Sequence, residues 1–84
     1  MNREDIKVGA TVKAIFRKYG KHIITGTVIE ICSNEHALDG DWIGIKVISG
    51  DKKDAHVTWM IKNRVCCLVP LNDVKEIVCG EKNY

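Results

Sequence analysis

The side chains able to do chemistry are four cysteines, three histidines and an unevenly spread set of charges. Zinc ligands come as cysteine or histidine pairs a few residues apart, and Cys32, Cys66, Cys67 and Cys79 do not follow that spacing. Cys66 and Cys67 are adjacent, so on an extended chain they point to opposite faces. Only a set drawn from Cys32, Cys79 and a histidine would bring ligands together; the default for at least two of the four is a small buried apolar residue. His22 lies in a basic turn, His36 in an acidic loop, and His56 alternates with Thr58 and Met60 toward an outer face. No Cys–His pair has the local signature of nucleophilic catalysis. Asp39 and Asp41 flank Gly40 without the ligand pattern of a calcium loop. The expectation is a protein without catalytic residues, metal or cofactor.

The charges are more informative. From Lys7 to His22 the chain has five cations (Lys7, Lys13, Arg17, Lys18, Lys21) and no acid, while Glu30 to Asp41 has four acids and no lysine or arginine. Lys13 and Arg17 share one face of the first extended segment, and Lys18, Lys21 and His22 fill the turn after it. Lys52-Lys53 and Lys62/Arg64 form further basic turns. Clustered cations bind phosphates by releasing counterions, and Tyr19 within the first cluster offers a face for a stacked base. The nucleic-acid surface expected from the sequence is therefore Lys13, Arg17, Lys18, Tyr19, Lys21, His22, Lys52 and Lys53. The alternative is a protein-interaction or inhibitory module, self-association included, through Trp42, Met60 and the loop acids Glu35, Asp39 and Asp41. An acidic loop of one copy would face the basic hairpin of another. Trp42 and Trp59 are the large anchors. Trp59 alternates with Ala55 and Val57 and reads as core; Trp42 fits an inward or an outward position equally.

These groups are held by short elements of period two. Val12, Ala14 and Phe16 alternate with Thr11, Lys13 and Arg17, Ile15 being the exception. Tyr19-Gly20-Lys21-His22 is a hairpin turn in which Gly20 takes positive φ. Strands follow over 23–32, with a bend at Gly26, and over 42–48, with Ile43, Ile45 and Val47 on one face. Further strands are read over 55–60, 65–69 and 74–78. Ser33 to Asp41 is a polar loop, Asn63 is the residue suited to a left-handed turn between Lys62 and Arg64, and Pro70 stops the strand before a helical turn at Leu71-Asn72-Asp73. No segment shows a long helical stripe. Eighty-four residues, 45% of them hydrophobic and 29% charged, make one domain with a thin core. The ordered part is expected over about 7–79, with a polar N-terminus (1–6) and a tail (80–84) that fray. The net charge of +2 is by itself a weak sign. With no secretory leader and no apolar run long enough for a bilayer, the expectation is a cytoplasmic protein with reduced thiols and no membrane contact.

Five or six short strands joined by tight turns favour an all-β barrel, because closure removes exposed edges. The run Val8-Gly9-Ala10-Thr11-Val12, then Gly20-Lys21-His22, then Gly26-Thr27-Val28 resembles the opening of Src-homology-3-like small barrels. It is nearest to the KOW-type motif of ribosomal proteins and transcription factors: a glycine before the first strand, a glycine-lysine turn and a G-x-V corner. Phe16-Arg17-Lys18 stands where that motif usually has a glycine. Val69-Pro70-Leu71-Asn72-Asp73-Val74 is similar to the strand, helical turn and strand that end many such barrels. The resemblance implies exposed loops that bind RNA, DNA or protein. The common oligonucleotide-binding fold would place a helix between its third and fourth strands, and the sequence shows none there.

Overall fold

The computed structural model describes residues 6–32 and 40–79. Five strands form one antiparallel sheet: β1 (Thr11–Phe16), β2 (His22–Cys32), β3 (Trp42–Gly50), β4 (Cys66–Pro70) and β5 (Val74–Cys79). One helix, α1 (Ala55–Lys62), lies between β3 and β4, and a single 3-10 turn, Leu71–Asp73, joins β4 to β5. The strand order β4-β3-β2-β1-β5 is a four-strand meander whose fifth strand returns beside the first. The protein is therefore mostly β as expected, with five strands among the described residues, but the sheet is not closed into a barrel: β4 and β5 are its two edges.

The alternation in β1 and β3 places the core. Val12, Ala14, Ile43, Ile45 and Val47 are buried with Ile24, Val28, Val69 and Val74. Ile6, one residue before the expected start of the ordered part, also belongs to this core. Cys67 points inward and Cys66 outward, as adjacent strand residues must. Gly26 is the close-approach point: a Cβ there would sit 2.3 Å from the Lys46 carbonyl oxygen. The β2–β3 register shifts at that place, between Thr25 and Gly26.

The segment 55–60, expected as a strand, is the first three-quarters of α1. Asp54 caps it, its Oδ1 accepting from the backbone N–H groups of His56 (3.0 Å) and Val57 (3.2 Å). The face that packs on the sheet is Val57, Met60 and Ile61, an i, i+3, i+4 stripe. In eight residues that stripe is easily mistaken for alternation through Ala55, Val57 and Trp59. The helical geometry turns two side chains the other way. Met60, expected on the outer face, is buried, and Trp59, expected in the core, is 55% exposed. A helix does lie between the third and fourth strands, contrary to the sequence reading.

The left-handed residue after α1 is Arg64 (φ 53°), not Asn63, whose φ is −94°. Val65 N–H donates to the Met60 carbonyl (2.9 Å) and Arg64 N–H to the Ile61 carbonyl (3.2 Å). This is the Schellman pairing, which puts the positive φ one residue beyond the cap.

Candidate nucleic-acid interface

Two turns meet at one end of the sheet. The first, residues 17–21, closes β1 on β2 across the Phe16–His22 pair. It holds Tyr19 at φ 62° and Gly20 at φ 116°; the glycine was expected in that region, the tyrosine was not. The second turn runs from Asp51 to Asp54. Asp54 N–H donates to the Asp51 carbonyl (3.0 Å) and Lys53 N–H to Asp51 Oδ1 (2.9 Å). Its central residues, Lys52 and Lys53, are exposed.

His22 joins the two turns. Its Nδ1 lies 2.6 Å from Asp54 Oδ2 and its Nε2 lies 3.1 Å from the Tyr19 carbonyl. Both partners are acceptors, so the imidazolium, with two N–H donors, satisfies both at once. The Asp54 hydrogen bond raises the His22 pKa against the opposing effect of burial, and the Tyr19 carbonyl adds to the rise. The same bond lowers the Asp54 pKa. Both ring nitrogens face acceptors, an arrangement that favours the protonated ring, and in that form His22 has no lone pair to offer as a general base.

Above this pair stands a cluster of rings. His56 stacks on Phe16 (centroids 6.4 Å apart, planes 7° apart) and on Trp59 (6.1 Å, 24°). Tyr19 meets His56 edge-on at 5.8 Å, and His22 lies 4.9 Å from it. These separations are those of favourable aromatic pairs. Tyr19 is 78% exposed and Trp59 is 55% exposed. The Lys18 ammonium sits 5.4 Å from the Tyr19 ring centre, a cation–π contact.

The structure brings Lys18, Tyr19, Lys21, His22, Lys52 and Lys53 to this end, on two turns joined by one ion pair. Arg17 shares the first turn but is engaged by Asp73, and Lys13 lies on β1 rather than on either turn, beside Ile23, Thr25, Ser49 and Asp51. Arg17 donates through Nε to Asp73 Oδ2 at 3.1 Å. Of the alternative surface, Met60 is buried and Trp42 half-buried beside Leu68 and Pro70. Asp41 is half-buried and its carbonyl accepts from Leu71 N–H. Glu35 and Asp39 lie outside the described residues, as does His36. The sequence reading missed Phe16, Asp54, His56 and Trp59 as parts of one cluster. The signal was there: Asp54 is a capping residue, and His56 and Trp59 are three apart, hence neighbours once the segment is helical.

Among the described residues, none cluster as a metal site. The Cys67 thiol is pushed up to about 11 by burial. Partial desolvation and the adjacent Glu30 also hold the Cys32 thiol up. Raised thiol pKa values oppose nucleophilic activation. No described helix is long and apolar enough to cross a membrane.

No protein-family model, curated protein or solved structure matches the chain.

Proposed function

We propose that this protein is a non-catalytic, cytoplasmic single-stranded nucleic-acid-binding module whose contact surface is the His22–Asp54 end of the sheet. The observation that carries the reading is the joining of two lysine-bearing turns beside two exposed aromatic rings. Sequence-tolerant single-strand binders combine a cationic track for the backbone with aromatic faces for the bases. Here Lys18, Lys21, Lys52 and Lys53 supply the charge, and Tyr19 and Trp59 supply the faces. Tyr19 is also held in a backbone region that bulky residues rarely occupy. Such strain concentrates at functional positions.

The strand order and the 3-10 turn before β5 support a Src-homology-3-like architecture, with α1 inserted in the β3–β4 connection. The KOW-type likeness of the first hairpin points to the same class of partner.

The test is titration of a labelled single-stranded oligonucleotide at several salt concentrations. Four phosphate contacts give a slope of about −3 in log affinity against log salt. Lys18→Glu with Lys21→Glu abolishes binding. No binding at about 50 mM salt, where the counterion effect is strong, rejects the reading.

A further inference from the structure

Next to the aromatic platform lies a groove of about 360 Å³. Its apolar walls are Ile15, Phe16, Trp42, Leu68 and Pro70, and its charged lining residues are Arg17, Lys18 and Asp73. Two residues belong to both places. Phe16 lines the groove and also stacks on His56. Lys18 lines the groove and also holds its ammonium over Tyr19.

We propose that this groove is a pocket for one nucleobase of the same single strand, inserted beside Trp42 while neighbouring bases stack on Tyr19 and Trp59. The proposal rests on the reading above and extends it from a flat platform to a platform with a pocket. The volume lies at the small-molecule end of the range for ligand sites. The walls are apolar and partly aromatic, which suits a flat heterocycle. Two cations face one carboxylate in the lining, and Asp73 is held by Arg17 at 3.1 Å, so the mouth keeps a positive excess for the linking phosphate. A phosphate at Lys18 has one base toward Tyr19 and the next toward the groove, which makes the two sites consecutive on one strand. Leu68 and Trp42 sit on the paired strands β3 and β4, so the pocket wall is rigid backbone rather than loop.

The two tryptophans report the two sites separately. In Trp59→Phe the remaining indole is Trp42 in the groove; in Trp42→Phe it is Trp59 on the platform. Each variant is titrated with oligodeoxythymidylate at low salt, following tryptophan fluorescence. The expected result is quenching in both, with Leu68→Glu, at a half-exposed position on an edge strand, removing the Trp42 response at least tenfold in concentration while leaving that of Trp59. Quenching of Trp59 with an unchanged Trp42 overturns the pocket and leaves the platform standing. No response of either, with no binding by the labelled strand, overturns both. A Trp42 change that follows protein concentration without any oligonucleotide overturns the pocket in favour of a second copy as occupant.

Discussion

His22 and Asp54, 32 residues apart in sequence, close on each other at 2.6 Å and fasten the β1–β2 turn to the N-terminus of α1. Asp54 does this with one oxygen while the other caps the helix. A single carboxylate thus sets both the start of α1 and the position of the basic hairpin.

The His22 pKa lies above its ordinary value of 6.5, so its share of stability is complete below that value and is lost as pH rises through the raised one. The Asp54 pKa lies below its ordinary 3.8, so its share is present above that value and lost as pH falls through the lowered one. The pair is therefore intact from mildly acidic conditions up to beyond 6.5. NMR titration of the His22 ring is expected to give a midpoint above 6.5, and Asp54→Asn is expected to bring it down. A midpoint at or below the ordinary value in the wild-type protein contradicts the imidazolium assignment.

Asp54 also separates capping from charge. Asp54→Asn keeps an oxygen for the His56 and Val57 N–H groups; Asp54→Ala removes it. The alanine variant is expected to lose about 1 kcal/mol more than the asparagine variant in urea denaturation, the ordinary worth of an N-cap. Equal losses would mean that the cap contributes nothing and the His22 contact everything.

Arg64 predicts a gain. A non-glycine residue in the left-handed region costs about 1–2 kcal/mol, and Arg64 sits at φ 53° on the solvent side of the Schellman turn. Arg64→Gly is expected to raise stability by up to about 1 kcal/mol, part of the relief being offset by the entropy of a freer unfolded chain. Asn63→Gly, at negative φ, is expected to give no gain. The denaturation midpoints of the two variants decide between these positions.

Much of the sheet was legible because its signals are local. The alternation of Val12 with Ala14 and of Ile43 with Ile45, the stop at Pro70 and the turn at Gly20 each follow from one or two residues. The helix was not, because eight residues carry little more than two turns of period, and Val57 fits a strand pattern as well as a helical one. Everything downstream inherited that ambiguity. Reading Ala55 to Met60 as extended turned Trp59 inward and Met60 outward, and separated His56 from Trp59. The basic half of the site could be read from the lysines alone. The aromatic half depends on α1 lying over the first hairpin, a tertiary contact made through His22 and Asp54 that no sequence spacing encodes.

Gly26 tests the packing between β2 and β3. A Cβ at this position would stand 2.3 Å from the Lys46 carbonyl oxygen and 2.4 Å from Ile45 Cγ2. The first neighbour is backbone held in the β2–β3 ladder and cannot swing aside. Gly26→Ala is expected to destabilise by about 1–3 kcal/mol, the usual cost of overpacking. Gly40→Ala meets no atom within 4 Å, so its penalty should come from φ 76° alone. A Gly26→Ala protein as stable as wild type would show that the two strands are farther apart than described.

Rings and charges contribute to single-strand binding in separable ways. Base–aromatic stacking is worth about 1–3 kcal/mol per base and is insensitive to salt, whereas each phosphate contact adds to the salt slope. Tyr19→Ala and Trp59→Ala should therefore each weaken single-strand affinity by roughly tenfold or more with an unchanged salt slope. Lys52→Gln with Lys53→Gln should flatten the slope by about 1.4 while leaving both rings in place. His22→Gln is the informative third variant: it touches no ligand in this arrangement, yet it releases the Tyr19 carbonyl and Asp54 together. Its expected effect is a loss of affinity comparable to Tyr19→Ala, because the stacking face is no longer held. If His22→Gln binds as wild type does, the His22–Asp54 pair does not organise the surface, and the lysines of the two turns act as independent charges.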